Sequence, residues 1–245
     1  MLQSVFEIKE NIRLTETVWQ MRLAGDTSAI TAPGQFVNIQ LDGLYLRRPI
    51  SVCDCVGDTL TLVYKVVGKG TEQMSRMRAG ERLDVLTGLG NGYDTAASGE
   101  APLLLGGGVG VPPLYMLAKK LIAEGKRVSV ILGFNTKSEI FYEEEFRALG
   151  ASVTVATADG SYGVKGFVTS AIEGVDYTYF YTCGPEPMLR AVYAATATEG
   201  QFSFEERMGC GFGACMGCSC KTVTGYKRIC KDGPVLKKEE ILWQN

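Results

Sequence analysis

The chain has 245 residues, of which 46% are hydrophobic and 21% charged, with 30 glycines and a formal net charge of -2. That composition is too apolar for disorder and lacks the periodic glycine of a fibre, and without a run of basic residues nucleic acid is a poor partner. Histidine is absent altogether, which removes the commonest general base and every nucleophile arrangement built on imidazole, so hydrolytic chemistry is disfavoured.

The first ten residues have neither the basic start nor the apolar run of a secretory signal, which places the chain in the cytoplasm. Six short alternating runs follow, at 4–9, 17–23, 35–41, 50–55, 59–66 and 82–86, separated by turn pairs such as Pro33-Gly34 and Gly57-Asp58. That rhythm predicts a six-stranded antiparallel β-barrel over residues 1–98. Arg47-Arg48-Pro49-Ile50-Ser51 enters its fourth strand, and Tyr64-Lys65-Val66 closes the fifth. Taken singly, Arg48 and Lys65 read as solvated surface charges. Gly70-Thr71, ahead of a helical stretch at 72–77, fits a helix cap and equally an anion site at a helix start.

From residue 99 the pattern changes to apolar runs alternating with helical ones, up to about residue 200. Leu114, Leu117, Ala118, Leu121 and Ile122 keep the spacing of one helix face until Gly125 stops it. The alternation predicts an α/β domain with a parallel sheet and crossover helices. Its stretch 101–118 is the most apolar of the chain, but four glycines and three prolines break it, so it cannot span a membrane. Within it Leu103-Leu104-Leu105-Gly106-Gly107-Gly108-Val109-Gly110-Val111-Pro112-Pro113 runs from a strand through glycines into a helix. Gly107, Gly108 and Gly110 let a pyrophosphate approach the backbone, and the N–H groups at the helix start favour its oxygens. Val111 stands where a dinucleotide fingerprint has its third glycine, and a purely structural tight turn stays open. Cys183-Gly184-Pro185 ends the last strand of the sheet, where open α/β sheets bind ligands, although a lone buried Cys183 is also ordinary core.

Residues 201–245 are too few and too glycine-rich to hold together without staples. Cys210, Cys215 and Cys218 have C-x4-C-x2-C spacing and Cys230 follows after eleven residues, the plant-type pattern for a [2Fe-2S] cluster. A zinc site and a disulfide knot compete, the first usually with C-x2-C twice, the second opposed by a cytoplasmic setting. Cys53, Cys55 and Cys220 have no assigned role.

Together, the Arg-Pro-Ile-Ser run, the Gly-Thr pair, the glycine turn and Cys-Gly-Pro-Glu-Pro-Met resemble the ferredoxin-NADP reductase superfamily over about 200 residues. Cys-Gly-x-Gly-Ala-Cys-x-x-Cys with Arg228-Ile229-Cys230-Lys231-Asp232-Gly233-Pro234-Val235 extends the likeness, over the whole chain, to electron-transfer subunits of type B dihydroorotate dehydrogenases. Leu89-Gly90-Asn91-Gly92-Tyr93 also fits the superfamily's end-of-barrel turn. The resemblance implies FAD held by Arg48, Pro49, Ile50 and Ser51, by Tyr64, Lys65 and Val66, and by Gly70 and Thr71. It implies NAD(H) near Gly107, Gly108 and Gly110 and near Gly184 and Pro185, with Cys183 at the catalytic position, and a cluster on Cys210, Cys215, Cys218 and Cys230. NADH would reduce the flavin and the flavin the cluster. The implied partner is an FMN-containing dihydroorotate dehydrogenase catalytic subunit of pyrimidine biosynthesis, in a heterotetramer of two copies each. A reductase subunit for another redox partner uses the same modules. NADH is preferred to NADPH on the resemblance alone, since Lys137, near the expected ribose site at 133–138, answers a phosphate and no carboxylate stands plainly beside it.

Overall fold

A computed structural model describes residues 1–243. Strands β1 (Leu2–Arg13), β2 (Val18–Ala24), β3 (Phe36–Ile39), β4 (Arg48–Val56), β5 (Thr59–Lys65) and β6 (Arg82–Leu89) close into an antiparallel barrel in the order β1-β2-β5-β4-β3-β6. Period-two alternation builds it: in β2, Met21 and Leu23 are buried while Arg22 between them is exposed. Phe6, Ile8, Val37, Ile39, Leu60 and Leu62 fill the interior. Helix α1 (Lys69–Arg76) is tied to this barrel by Asn11, whose Nδ2 donates to the carbonyls of Met74 and Met77 at 2.9 Å each. Those carbonyls lie at the helix C-terminus, where backbone acceptors have no partner of their own.

The second unit alternates β7 (Pro102–Gly107), α2 (Pro113–Ala123), β8 (Ser129–Phe134), α3 (Glu143–Ala148), β9 (Ser152–Thr157), β10 (Val164–Lys165), β11 (Tyr179–Cys183), α4 (Glu186–Ala195) and β12 (Gly200–Ser203). Its strands pair in parallel in the order β10-β9-β8-β7-β11-β12. From β7 the chain winds outward one way through β8 and β9, then returns to β11 on the other side, so the topological switch point lies between β7 and β11. Leu114, Leu117, Ala118 and Leu121 of α2 are completely buried, the face their spacing predicts. This unit docks on the barrel through Lys119 Nζ, 2.8 Å from Asp54, through the Tyr142 hydroxyl donating to Gln20 at 2.7 Å, and through the fully buried Cys53.

The remaining segment forms a hairpin of β13 (Ser219–Thr222) and β14 (Gly225–Arg228), then β15 (Val235–Lys237). It has little core of its own: Cys218, Ile229, Cys230 and Leu236 pack with Phe36, Leu86 and Leu89 of the barrel. β15 adds antiparallel to β12 and completes a seven-stranded sheet, and the parallel β11–β12 ladder crosses the division expected after residue 200. Helix α4 ends at Ala195, and Lys238 Nζ donates to the Thr196 and Thr198 carbonyls just beyond it. Among the described residues no helix is long and apolar enough to cross a membrane.

Candidate functional site

Three structural elements converge at the C-terminal edge of the parallel sheet. β7 enters a tight turn at Gly108–Gly110 before α2, and the turn after β11 rises beside it. The two turns touch. A Cβ on Gly110 would stand 2.2 Å from the Cys183 carbonyl oxygen, and one on Gly107 would stand 2.3 Å from Met188 Sδ. At Gly110, where the neighbour is backbone, only glycine allows that approach. Above the turns lies a cavity of about 490 Å³, with Gly107, Gly108, Gly110, Gly184 and Pro185 in its wall. The barrel contributes Thr15, Thr17 and Lys65, and β8 and its loop contribute Phe134, Asn135 and Glu139.

Cys183 does not line this cavity. Its thiol is buried in the core between the two units, and burial pushes its pKa up, so it is a poor thiolate. What Cys183 presents at the site is its backbone, against Gly110. Lys137 lies with its ammonium 5.8 Å from the centre of the Tyr162 ring. The carboxylate nearest the end of β8 is Glu139, which accepts from Asn135 Nδ2 at 2.8 Å and from its backbone N–H at 3.2 Å.

A second cavity, of about 360 Å³, lies on the barrel and is lined by Arg48, Pro49, Ile50 and Ser51 of β4, Tyr64 and Lys65 of β5, and Thr71. Arg48 crosses the start of α1 so closely that a Cβ on Gly70 would meet its Nε at 2.1 Å. Thr71 Oγ1 accepts from the N–H groups of Val67 at 3.0 Å and Gly68 at 3.3 Å, shaping that helix start. An arginine beside a helix N-terminus and an apolar slot together fit a ligand with phosphates at one end and a flat ring at the other. Val66 and Gly70 stand behind this wall, Val66 packing into the barrel core. Lys65, Val109 and Glu205 line both cavities, so the two are neighbours. Burial raises the Glu205 carboxyl above the usual carboxylate range. Glu205 follows β12, a four-residue strand with a single large apolar side chain, and no sequence pattern marked it.

The cysteine loop completes the arrangement. Its cysteines lie in two neighbouring pairs: the Cys210 N–H donates to Cys215 Sγ at 3.4 Å, and the Cys230 N–H to Cys218 Sγ at 3.4 Å. No three His, Cys, Asp or Glu side chains among the described residues group around one point as a single metal ion requires. Four thiols from one loop, in the C-x4-C-x2-C spacing with a distant fourth, are what a two-iron cluster asks of its protein. Backbone N–H groups point at sulfur: Ala214 at 3.2 Å and Cys215 at 3.4 Å from Cys210 Sγ, and Cys230 at 3.4 Å from Cys218 Sγ. Burial opposes a Cys210 thiolate, yet the N–H groups of Phe212, Cys215 and Ala214, with the Cys215 thiol, outweigh it and bring Cys210 down to about 6. Cys230 is pushed up to about 12, by burial first and then by the neighbouring Cys218. The donor set and its N–H cradle therefore fit a [2Fe-2S] cluster. Cys220 projects from β13 outside both pairs.

The descriptions of two protein families match parts of the chain: the iron-sulfur cluster binding domain of dihydroorotate dehydrogenase B over residues 205–242, and the oxidoreductase NAD-binding domain over residues 104–194. Dihydroorotate dehydrogenase B (NAD(+)) electron transfer subunits are similar along nearly their whole length, at 42% identity over 98% of both chains in Bacillus pumilus and 44% over 99% of both in Geobacillus sp.. A solved chain from the NADH-dependent reduced ferredoxin-NADP oxidoreductase superposes with a TM-score of 0.89 at 30% identity, covering 98% of this chain and 90% of that one. The ferredoxin reductase of carbazole 1,9a-dioxygenase, at a TM-score of 0.69 and 22% identity over 79% of this chain and 65% of that one, shares the fold. Barrel, nucleotide sheet, paired thiols and near-complete likeness agree: the chain belongs to the electron transfer subunits of NAD-dependent dihydroorotate dehydrogenase B.

Proposed function

We propose that this chain carries electrons between a nicotinamide nucleotide and the FMN of a dihydroorotate-oxidising catalytic subunit in pyrimidine biosynthesis, through FAD and a [2Fe-2S] cluster. The observation that carries this reading is a chain of contacts. The nucleotide cavity adjoins the barrel cavity, Lys65, Val109 and Glu205 lining both, and the Cys210 carbonyl accepts a hydrogen bond from Asn38 of β3, the strand paired with the Arg48–Ser51 segment. When bound, FAD supplies hydride exchange with the nicotinamide and single-electron exchange with the cluster.

This chain's residues hold and separate those groups. Arg48, Gly70 and Thr71 would take the flavin's phosphates at the start of α1, while Pro49, Ile50, Ser51, Tyr64 and Lys65 would flank its ring, with Val66 behind. Gly107, Gly108 and Gly110 would admit the nucleotide's pyrophosphate, with Gly184 and Pro185 opposite and the Cys183 backbone fixing the spacing of the two turns. Cys210 and Cys215 would ligate one iron, Cys218 and Cys230 the other. The partner subunit would dock over the exposed part of the cysteine loop, where Cys215 is exposed and the apolar Phe212 and Met216 stand 44% and 54% exposed. We assign the units as 1–98, 99–200 and 201–245, the assembly as two copies of each subunit, and the compartment as the cytoplasm.

An anaerobic visible spectrum with iron, sulfide and flavin assays tests the carriers, and NADH titration with and without the catalytic subunit tests the route. About two irons, two sulfides and one FAD per chain, bleached by NADH, are expected. NAD reduction by dihydroorotate should appear only with the partner. A colourless protein with one zinc overturns the redox reading. A proper spectrum that never couples to dihydroorotate favours the second reading, a reductase subunit for another partner, to which the 30% identical redox structure lends weight.

A further inference from the structure

Asn38 lies in the middle of β3 and is 1% exposed. Its neighbours Val37 and Ile39 pack into the barrel core, so by strand alternation Asn38 faces outward, toward the cysteine segment. Its Nδ2 donates to the Cys210 carbonyl at 3.2 Å. Gly211, at φ +79, is pressed onto the same amide: a Cβ there would stand 2.3 Å from Asn38 Nδ2. The main chain is held as well, because Arg47 Nη1 donates to the Asn38 carbonyl at 3.3 Å and to Asp84 Oδ1 at 2.7 Å. Across the ladder Asn38 pairs with Pro49, between Val37–Ile50 and Ile39–Arg48. One residue thus touches the loop of the first cluster cysteine and sits opposite the strand that lines the barrel cavity.

Its Oδ1 is buried with no hydrogen-bond partner among the described residues. A leucine of nearly the same shape would fill this position without an orphan acceptor. A buried amide that is only half satisfied is costly, and such groups concentrate where position matters more than stability.

We propose that Asn38 is a positioning residue for electron transfer between flavin and cluster, its amide fixing the Cys210 loop against the strand pair that lines the flavin cavity. The inference rests on the site reading given above. In the step it serves, one electron would leave NADH-reduced flavin and convert one ferric iron of the cluster to ferrous. No bond to Asn38 forms or breaks.

Two near-isosteric variants test it in the full chain loaded with FAD and cluster, with iron content and thermal midpoint measured alongside. Asn38→Leu removes the donor together with the orphan acceptor, and Asn38→Asp sets a second acceptor against the Cys210 carbonyl. In stopped-flow absorbance both should leave flavin reduction by NADH unchanged and slow cluster reduction about tenfold, with the larger effect from Asn38→Asp. The electron paramagnetic resonance spectrum of the dithionite-reduced cluster should shift in its g values. Unchanged transfer rate and spectrum in both variants overturn the inference. So does a parallel loss of iron and thermal stability in which the loaded fraction still transfers electrons at the original rate, since Asn38 would then serve only folding. A parent chain without flavin or iron instead overturns the site reading itself, and the inference with it.

Discussion

At Gly110 a hydrogen atom stands where any other residue would drive a carbon to within 2.2 Å of a backbone oxygen. Neither partner is the flexible end of a side chain, so the two turns must part if a methyl is inserted. Gly110→Ala is expected to raise the KM for NADH at least about tenfold while FAD content stays at one per chain, as steady-state kinetics and flavin extraction would show. For the cysteines the expected outcome is division by pair. Cys230→Ser should lose the cluster's absorbance and iron yet keep NADH reduction of FAD, whereas Cys220→Ser should keep both, and equal loss in the two would remove the pairing argument. The four paired cysteines were legible because a cluster draws most of its ligands from one short stretch of chain. Asn38 and Glu205 were not, because what gives them meaning is tertiary: Asn38 meets Cys210 across 172 positions of sequence. For Cys183 the sequence left a core reading beside the functional one, since a motif of this kind is silent about which way the thiol points.

Elements long enough to repeat their period declared themselves: five of the six barrel strands, at seven to twelve residues, and the buried face of α2 follow from alternation and from i, i+3, i+4 spacing. β12 and β15, at four and three residues, offer too few positions for a period to show, and their place in the sheet is settled by neighbours far away in the chain. Polar stitching between barrel strands was equally hidden. Arg47 joins the strand β3 to β6 through Asp84, with side-chain exposures of 19% and 33%. Burial works against the Asp84 carboxylate, but hydrogen bonds from Arg47 and Gln3 prevail and hold it below the usual carboxylate range. A depressed folded-state pKa contributes stability that is complete above the unfolded value of about 3.9 and vanishes as pH falls through the folded one. Asp84→Asn should therefore unfold more easily than the parent by about 0.5–1 kcal/mol above about pH 5, the gap closing below about pH 4 in urea titrations. A gap that persists at low pH would assign the effect to packing.

Across the whole molecule, the binding space belongs to no single unit: the barrel cavity takes β4 and β5 on one side and Ser203, Phe204 and Pro234 of the later chain on the other. Flavin bound there should hold all three units at once. FAD at a hundred times its dissociation constant is expected to add about 2.7 kcal/mol, raising the melting temperature by about 5–10 °C over flavin-depleted protein. Calorimetry showing no shift would mean that the folded chain does not bind FAD in preference to the unfolded one. The return of the chain through β15 to pair with β12 has a different consequence. It closes residues 204–234 into a loop sewn down at both ends, with Asn38 as a third stitch. A carrier on a free tail could swing from donor to acceptor. A carrier held at three points would have no such swing, and on the proposed route the approach of the partner to the loop, more than any movement of the loop, would set how fast electrons cross.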